Sequence, residues 1–130
     1  MPPMSNNSYT IEKKEKYAQI NLKDEKLDSH ISPSLKSELV VLNSEGFKNI
    51  IIDLTDTRYC DSSGLSAILV ANRLCKNSGG TFVLTGLQRS VMKLISISQL
   101  DTILNIAPTV NEGVDLLFME EIERDANKEA

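Results

Sequence analysis

Asp61, Ser62, Ser63 and Gly64 stand together where one apolar run ends and another begins, within DLTDTRYCDSSGLSAILVANRL, Asp53 to Leu74. A carboxylate and two hydroxyls at such a junction have two possible uses. The first is a helix cap, in which a side-chain oxygen satisfies a free amide of the first turn for about 1 kcal/mol. The second is regulatory chemistry. A serine at a helix start tolerates an added phosphate, because free amides and the macrodipole favour negative charge there. One cap needs one residue and three polar ones gather here. On the residues alone both readings stay open.

The rest of the chemical inventory is thin. His30 is the only histidine and follows Asp28 in a polar loop, where an exposed surface position is expected. Cys60 and Cys75 lack C-x-x-C spacing and read as reduced thiols of a core. One His and two scattered Cys do not make a metal site. DSSGL lacks the second glycine of a nucleophile elbow, and SGGT (Ser78–Thr81) lacks the lysine and upstream glycine of a phosphate loop. There is no Trp, aromatics are 5% of the chain, and the net charge is −4, which together argue against a nucleic-acid partner. The sequence therefore predicts a binding module, not an enzyme, with no cofactor and no metal.

A chain of 130 residues, 41% hydrophobic and 25% charged, is expected to form one domain with a core of its own. Its longest apolar runs are about half a dozen residues, short of the ~20 of a membrane helix, so no direct membrane insertion is expected. MPPMSNNSY lacks the charged and apolar regions of a signal peptide, which points to the cytoplasm. No pattern requires a dimer.

The elements that must position the motif are readable from period and punctuation. Residues 1–8 read as a loose arm. YTIEKKEKYAQINL reads as a hairpin, with a charged edge strand followed by Tyr17 to Leu22, where Ala18, Ile20 and Leu22 alternate with polar neighbours. KDEKLDSHI reads as a loop. SPSLKSELVVLNSEG reads as a helix capped by Ser32, with Pro33 in its first position and Gly46 past its end. NIIIDL has no polar alternation in its middle and reads as a central strand. Leu65 to Cys75 is apolar around most of a helix, so deep burial is expected, Leu69 included. TFVLTGL, SVMKLISIS and TILNIA follow as strand, helix and strand. TVNEGVDLLFMEEI closes the domain at Ile122, with Thr109 and Glu112 at capping-box spacing. Residues 123–130 read as a charged tail that frays. The predicted fold is α/β: a single domain, residues 9–122, with a mixed sheet, an N-terminal hairpin and later strands parallel and alternating with helices. The Asp-Ser-Ser-Gly junction falls at the carboxyl end of a strand, where sites form in such folds.

On these residues the chain resembles the STAS domain, named for sulphate transporters and anti-sigma factor antagonists, and most of all the free-standing bacterial antagonists. The likeness runs from about Tyr9 to Leu117 and centres on YCDSSGLSAIL. KLDSHISPSLKSEL, NIIIDLTDT and CKNSGGTFVLTGL support it. Where the family often has Gly-Glu before the Leu-Asp of its first loop, this chain has Glu25 and Lys26. The resemblance implies that Ser62 is phosphorylated by an anti-sigma factor acting as an ATP-dependent serine kinase, and that a PP2C-type phosphatase reverses the mark. It implies that Asp28, Asp61, Ser62, Ser63, Gly64 and Leu65 frame the partner-binding surface, and that the unphosphorylated protein regulates transcription by binding the anti-sigma factor. The alternative within the family is a STAS subunit of a lipid or anion transport assembly, with Asp-Ser-Ser-Gly as a plain cap.

Overall fold

The computed structural model describes residues 8–129, so the arm expected at residues 1–8 lies outside them except for Ser8. Strands β1 (Tyr9–Lys13) and β2 (Ala18–Leu22) form the expected antiparallel hairpin. Ala18, Ile20 and Leu22 are buried while Gln19 and Asn21 are half-exposed, as alternation along a strand requires. Then come β3 (Lys26–Leu27), α1 (Ser32–Ser44), β4 (Ile50–Asp53), β5 (Tyr59–Cys60), α2 (Ser62–Asn77), β6 (Phe82–Thr85), α3 (Arg89–Ile97), a 3-10 turn (Leu100–Thr102), β7 (Asn105–Ala107) and α4 (Val110–Glu129). A five-stranded sheet runs β1-β2-β4-β6-β7, parallel from β2 onward, and β3 pairs with β5 in a small parallel ladder beside it. The charged β1 is an edge and β4 is the middle strand.

Burial divides by strand parity. Ile50 and Ile52 of β4 join Ile20, Phe82 and Leu84 in the larger core, which also holds Leu35, Leu39 and Leu42 of α1, Ala67, Ile68 and Ala71 of α2, and Val91 and Ile95 of α3. Ile51 and Val83 face the other way and pack with Ala107 of β7 and Leu117 of α4. A strand covered on both faces needs apolar residues at every position, and Ile50, Ile51 and Ile52 are each fully buried. Helix α1 stops where expected. Gly46 has φ +102°, its amide donates to Asn43 O at 3.1 Å, and the Phe47 amide donates to Leu42 O at 3.0 Å, closing a Schellman motif.

Four details depart from the sequence reading. The polar loop after β2 contains β3, and its Leu27 is fully buried. Ser32 is not the cap of α1. Ile31 holds that position with no side-chain bond, and the Ser32 hydroxyl turns back to donate to Asp28 O at 2.7 Å. Helix α2 is not buried all round: Gly64, Ala67, Ile68, Ala71, Asn72 and Cys75 form its buried face, while Leu69 is half-buried and joins neither core. The charged tail does not fray after Ile122; α4 continues to Glu129. Arg124 Nη1 donates to Thr81 Oγ1 at 2.7 Å, Thr81 Oγ1 donates to Glu120 Oε1 at 3.0 Å, and Asn49 Nδ2 donates to Glu121 Oε2 at 3.3 Å. These polar contacts fasten α4, as far as Arg124, to the residues just before β4 and β6.

The burial of α2 sets a stability test. Ile68→Ala is expected to cost about 2–5 kcal/mol in urea unfolding, because it opens a cavity in the larger core. Leu69→Ala is expected to cost clearly less, since water already reaches that side chain. A larger loss at Leu69 than at Ile68 would contradict the orientation of the helix.

Candidate functional site

Helix α2 starts directly on the motif. Asp61 is extended (φ −105°, ψ −172°), and its Oδ1 accepts from the Gly64 amide at 3.0 Å and from Ser63 Oγ at 2.6 Å. Asp61 is therefore the N-cap. The Ser63 hydroxyl, followed by the Gly64 amide, holds the Asp61 carboxyl below the usual carboxylate range, because both stabilise the charged form. Ser62 is exposed in the first turn, and among the described residues its hydroxyl has no hydrogen-bond partner. The question of cap or site is answered in part. One residue caps, one steadies the cap, and one is left free.

A close approach fixes the motif against the loop after β2. A Cβ at Gly64 would collide with the Leu27 carbonyl oxygen and stand 2.7 Å from Cys60 Sγ. Leu27 O also accepts from the Asp61 amide at 3.3 Å, and the amides of Arg58 and Tyr59 both donate to Glu25 O, at 2.8 and 2.9 Å. Together with the Lys26–Leu27 to Tyr59–Cys60 ladder, these bonds bring Asp28 to the motif. Its carbonyl accepts from the amides of Ile31 and Ser32 at 3.1 and 2.9 Å, and its Oδ1 accepts from the His30 amide at 3.0 Å. The Ser32 hydroxyl that donates to Asp28 O lies 3.4 Å from Ser63 Oγ, so loop and helix start meet through two serines.

Asp28 and Asp61 border one open groove of about 550 Å³, together with Lys26, Leu27, Tyr59 and Cys60. Of the residues singled out in the sequence, Asp28, Asp61, Ser63 and Gly64 thus belong to one unit, with Ser62 exposed at its edge. Leu65 turns inward and packs half-buried against the larger core. Sequence reasoning missed Ser32, which it read as a cap, and Tyr59, which is 60% exposed at the lip of the groove. An aromatic between an Arg and a Cys gives no sign in sequence of which way it points.

The other chemical candidates have ordinary surroundings. His30 is exposed. Burial pushes the Cys60 thiol up to about 12, with the Asp61 charge adding to it, and burial likewise pushes Cys75 up to about 12. Neither is a thiolate near neutral pH.

Residues 10–113 match the STAS domain family. The chain belongs to that family. It is similar to the anti-sigma-B factor antagonist of Bacillus subtilis (strain 168), 29% identical over 109 residues that span 84% of this chain and 98% of the relative. Among solved structures, it is similar to the Bacillus cell fate determinant SpoIIAA in its phosphorylated form (22% identity, 82% of this chain and 96% of that one, TM-score 0.66). It is equally similar to the anti-sigma factor antagonist SpoIIAA in its unphosphorylated form (19% identity, 82% and 94%, TM-score 0.67). These structural likenesses confirm the α/β STAS fold.

Three outcomes follow from the geometry of this STAS domain. Asp61→Ala is expected to lower the melting temperature at neutral pH, whereas Ser62→Ala leaves it unchanged. Because the Asp61 carboxyl is held low in the folded state, its contribution is complete above the ordinary value of 3.8 and lost as pH falls through the folded value. The gap between wild type and Asp61→Ala should therefore narrow in acid. Gly64→Ala is expected to cost about 1–3 kcal/mol through forced displacement of the Leu27 backbone, read by the same melts.

Proposed function

We propose that this STAS domain is an anti-sigma factor antagonist switched by phosphorylation of Ser62. In this reading the unphosphorylated protein binds an anti-sigma factor in the cytoplasm and so regulates transcription. That partner is itself an ATP-dependent serine kinase that marks Ser62, and a PP2C-type phosphatase removes the mark. The domain is a binding module, and the catalysis belongs to its partners. The observation that carries the reading is the free, exposed Ser62 hydroxyl on the first turn of α2, beside an aspartate and a serine that are already engaged. The relation to an anti-sigma-B factor antagonist across 98% of that protein's length supports it.

The physical basis is local. A phosphate carries about −1.5 to −2 charges at neutral pH. On Ser62 it would sit near the first amides and positive end of α2, so the fold should accept it. It would also arrive beside Asp61 and at the edge of the groove that Asp28 borders, adding like charge and bulk to the docking surface. A partner matched to a bare hydroxyl and two carboxylates would lose affinity.

Calorimetry with a candidate anti-sigma factor, and kinase assays with the same protein, test the switch. Ser62→Ala should bind like wild type and resist phosphorylation. Ser62→Asp should weaken binding by an amount on the order of a few kcal/mol, with an unchanged melting temperature. Ser63→Ala should still be phosphorylated. Wild-type affinity in Ser62→Asp together with a phosphosite elsewhere would remove Ser62 from the mechanism.

A further inference from the structure

Tyr59 borders a second groove on its other side. This one has a volume of about 440 Å³ and is lined by Arg58, Gln88, Arg89, Ser90 and Lys93 in addition to Tyr59. Its lining has three cations and no carboxylate, in a chain where 18 acidic residues outnumber 14 basic ones. Nor does any acid lie nearby along α3, since residues 86–100 contain none. Among the described residues, the one carboxylate within ion-pair distance of these cations is Glu25, whose Oε1 is 3.8 Å from Arg58 Nε in an exposed pair that neutralises little.

The groove is built on fixed elements. Val91 and Ile95 anchor α3 in the larger core, which leaves Arg89, Lys93 and Ile97, each four residues from the next, exposed on the opposite face. Ser90 Oγ donates to Arg58 O at 2.5 Å, and Gln88 Nε2 donates to Thr55 O at 2.7 Å, tying the start of α3 to the chain that leads into β5. Two apolar surfaces flank the cations: Tyr59 is 60% exposed and Ile97 is 69% exposed.

We infer that this groove is a docking surface for an acidic segment of a protein partner, one that carries Asp or Glu next to an apolar side chain. Guanidinium groups pair with carboxylates through parallel hydrogen bonds, and an exposed tyrosine offers a flat anchor at low entropic cost. A nucleic acid fits less well. Three cations neutralise few phosphates, and a single tyrosine makes no stacking platform. The inference rests on the proposed function only in supposing that a protein docks beside Ser62. Such a partner would meet two carboxylates, Asp28 and Asp61, beside the single cation Lys26 on one side of Tyr59, and three cations with no carboxylate on the other. Opposite net charges on either side of one aromatic fix the register of docking and reject a reversed approach.

The test is amide chemical-shift mapping on the full chain with three probes: a short peptide of alternating Glu and Leu, the same peptide with Lys for Glu, and a single-stranded oligonucleotide of similar length. The acidic peptide should shift residues 58–60 and 88–97, and the basic peptide should not. Arg89→Glu combined with Lys93→Glu should weaken the acidic peptide about tenfold or more at an unchanged melting temperature. No shifts at these residues, equal binding by the charge-reversed variant, or an oligonucleotide that binds there as tightly as the peptide would each overturn the inference. Ser62→Asp should retain the peptide whether or not Ser62 is a phosphosite, so failure here and failure of the switch are read separately.

Discussion

The carbonyl of Leu27 occupies the space that a side chain at position 64 would need, and most of the site depends on that contact. Because position 64 is glycine, α2 can begin directly against the backbone of β3. The same carbonyl accepts from the Asp61 amide, so the residue before the helix is held by the strand it touches. Asp28 follows Leu27 at once and is carried to the groove by the same arrangement. A larger residue at 64 would push the helix start and the Asp28 loop apart, and the groove would lose one of its walls.

Within that fixed junction the polar residues divide their tasks. Asp61 caps α2, and Ser63 donates to the cap. Ser32 joins the Asp28 turn to Ser63, although its place in sequence suggested a cap for α1. Ser62 takes none of these roles. A hydroxyl with no structural duty can be modified without undoing a cap or a turn, and a helix start is a place where new negative charge is tolerated. The fold and the proposed switch are therefore compatible at the same residue. Stability rests on its neighbours.

The remaining architecture holds this junction steady. Helices α1, α2 and α3 bury one face of the sheet, and α4 buries the other. β4 leads from the core into the segment that carries β5 and the motif, so Ile50 to Ile52 anchor it at its root. Two grooves meet at Tyr59, one with two carboxylates and a lysine and the other with three cations, and both are shaped by β5, a strand of two residues. Main-chain bonds to Glu25 and the anchoring of α3 give that short strand a fixed direction.

Local pattern was enough for the sheet hairpin, the central strand, the helix before it with its terminating Gly46, and the motif at a helix start. Each follows from a period, a cap or a left-handed glycine, which are properties of a few consecutive residues. The family resemblance pointed to Asp28 and to Asp61 through Leu65; of these the fold brings Asp28, Asp61, Ser63 and Gly64 together and turns Leu65 toward the core. What the sequence left open needed contacts between distant residues. Whether Asp61 or Ser62 caps depends on backbone angles set by the Leu27 contact, and both side chains are capable of it. The β3–β5 ladder is too short to show alternation, and its partners lie more than thirty positions apart. Leu69 looked like core because composition around a helix reports how apolar it is, not which side meets a neighbour. The charged end of α4 looked like a loose tail because charged residues do not bury themselves, yet the helix continues and Arg124 finds a partner in Thr81, just before β6. Tertiary structure decided these points, because each depends on which distant group stands within hydrogen-bonding or packing distance.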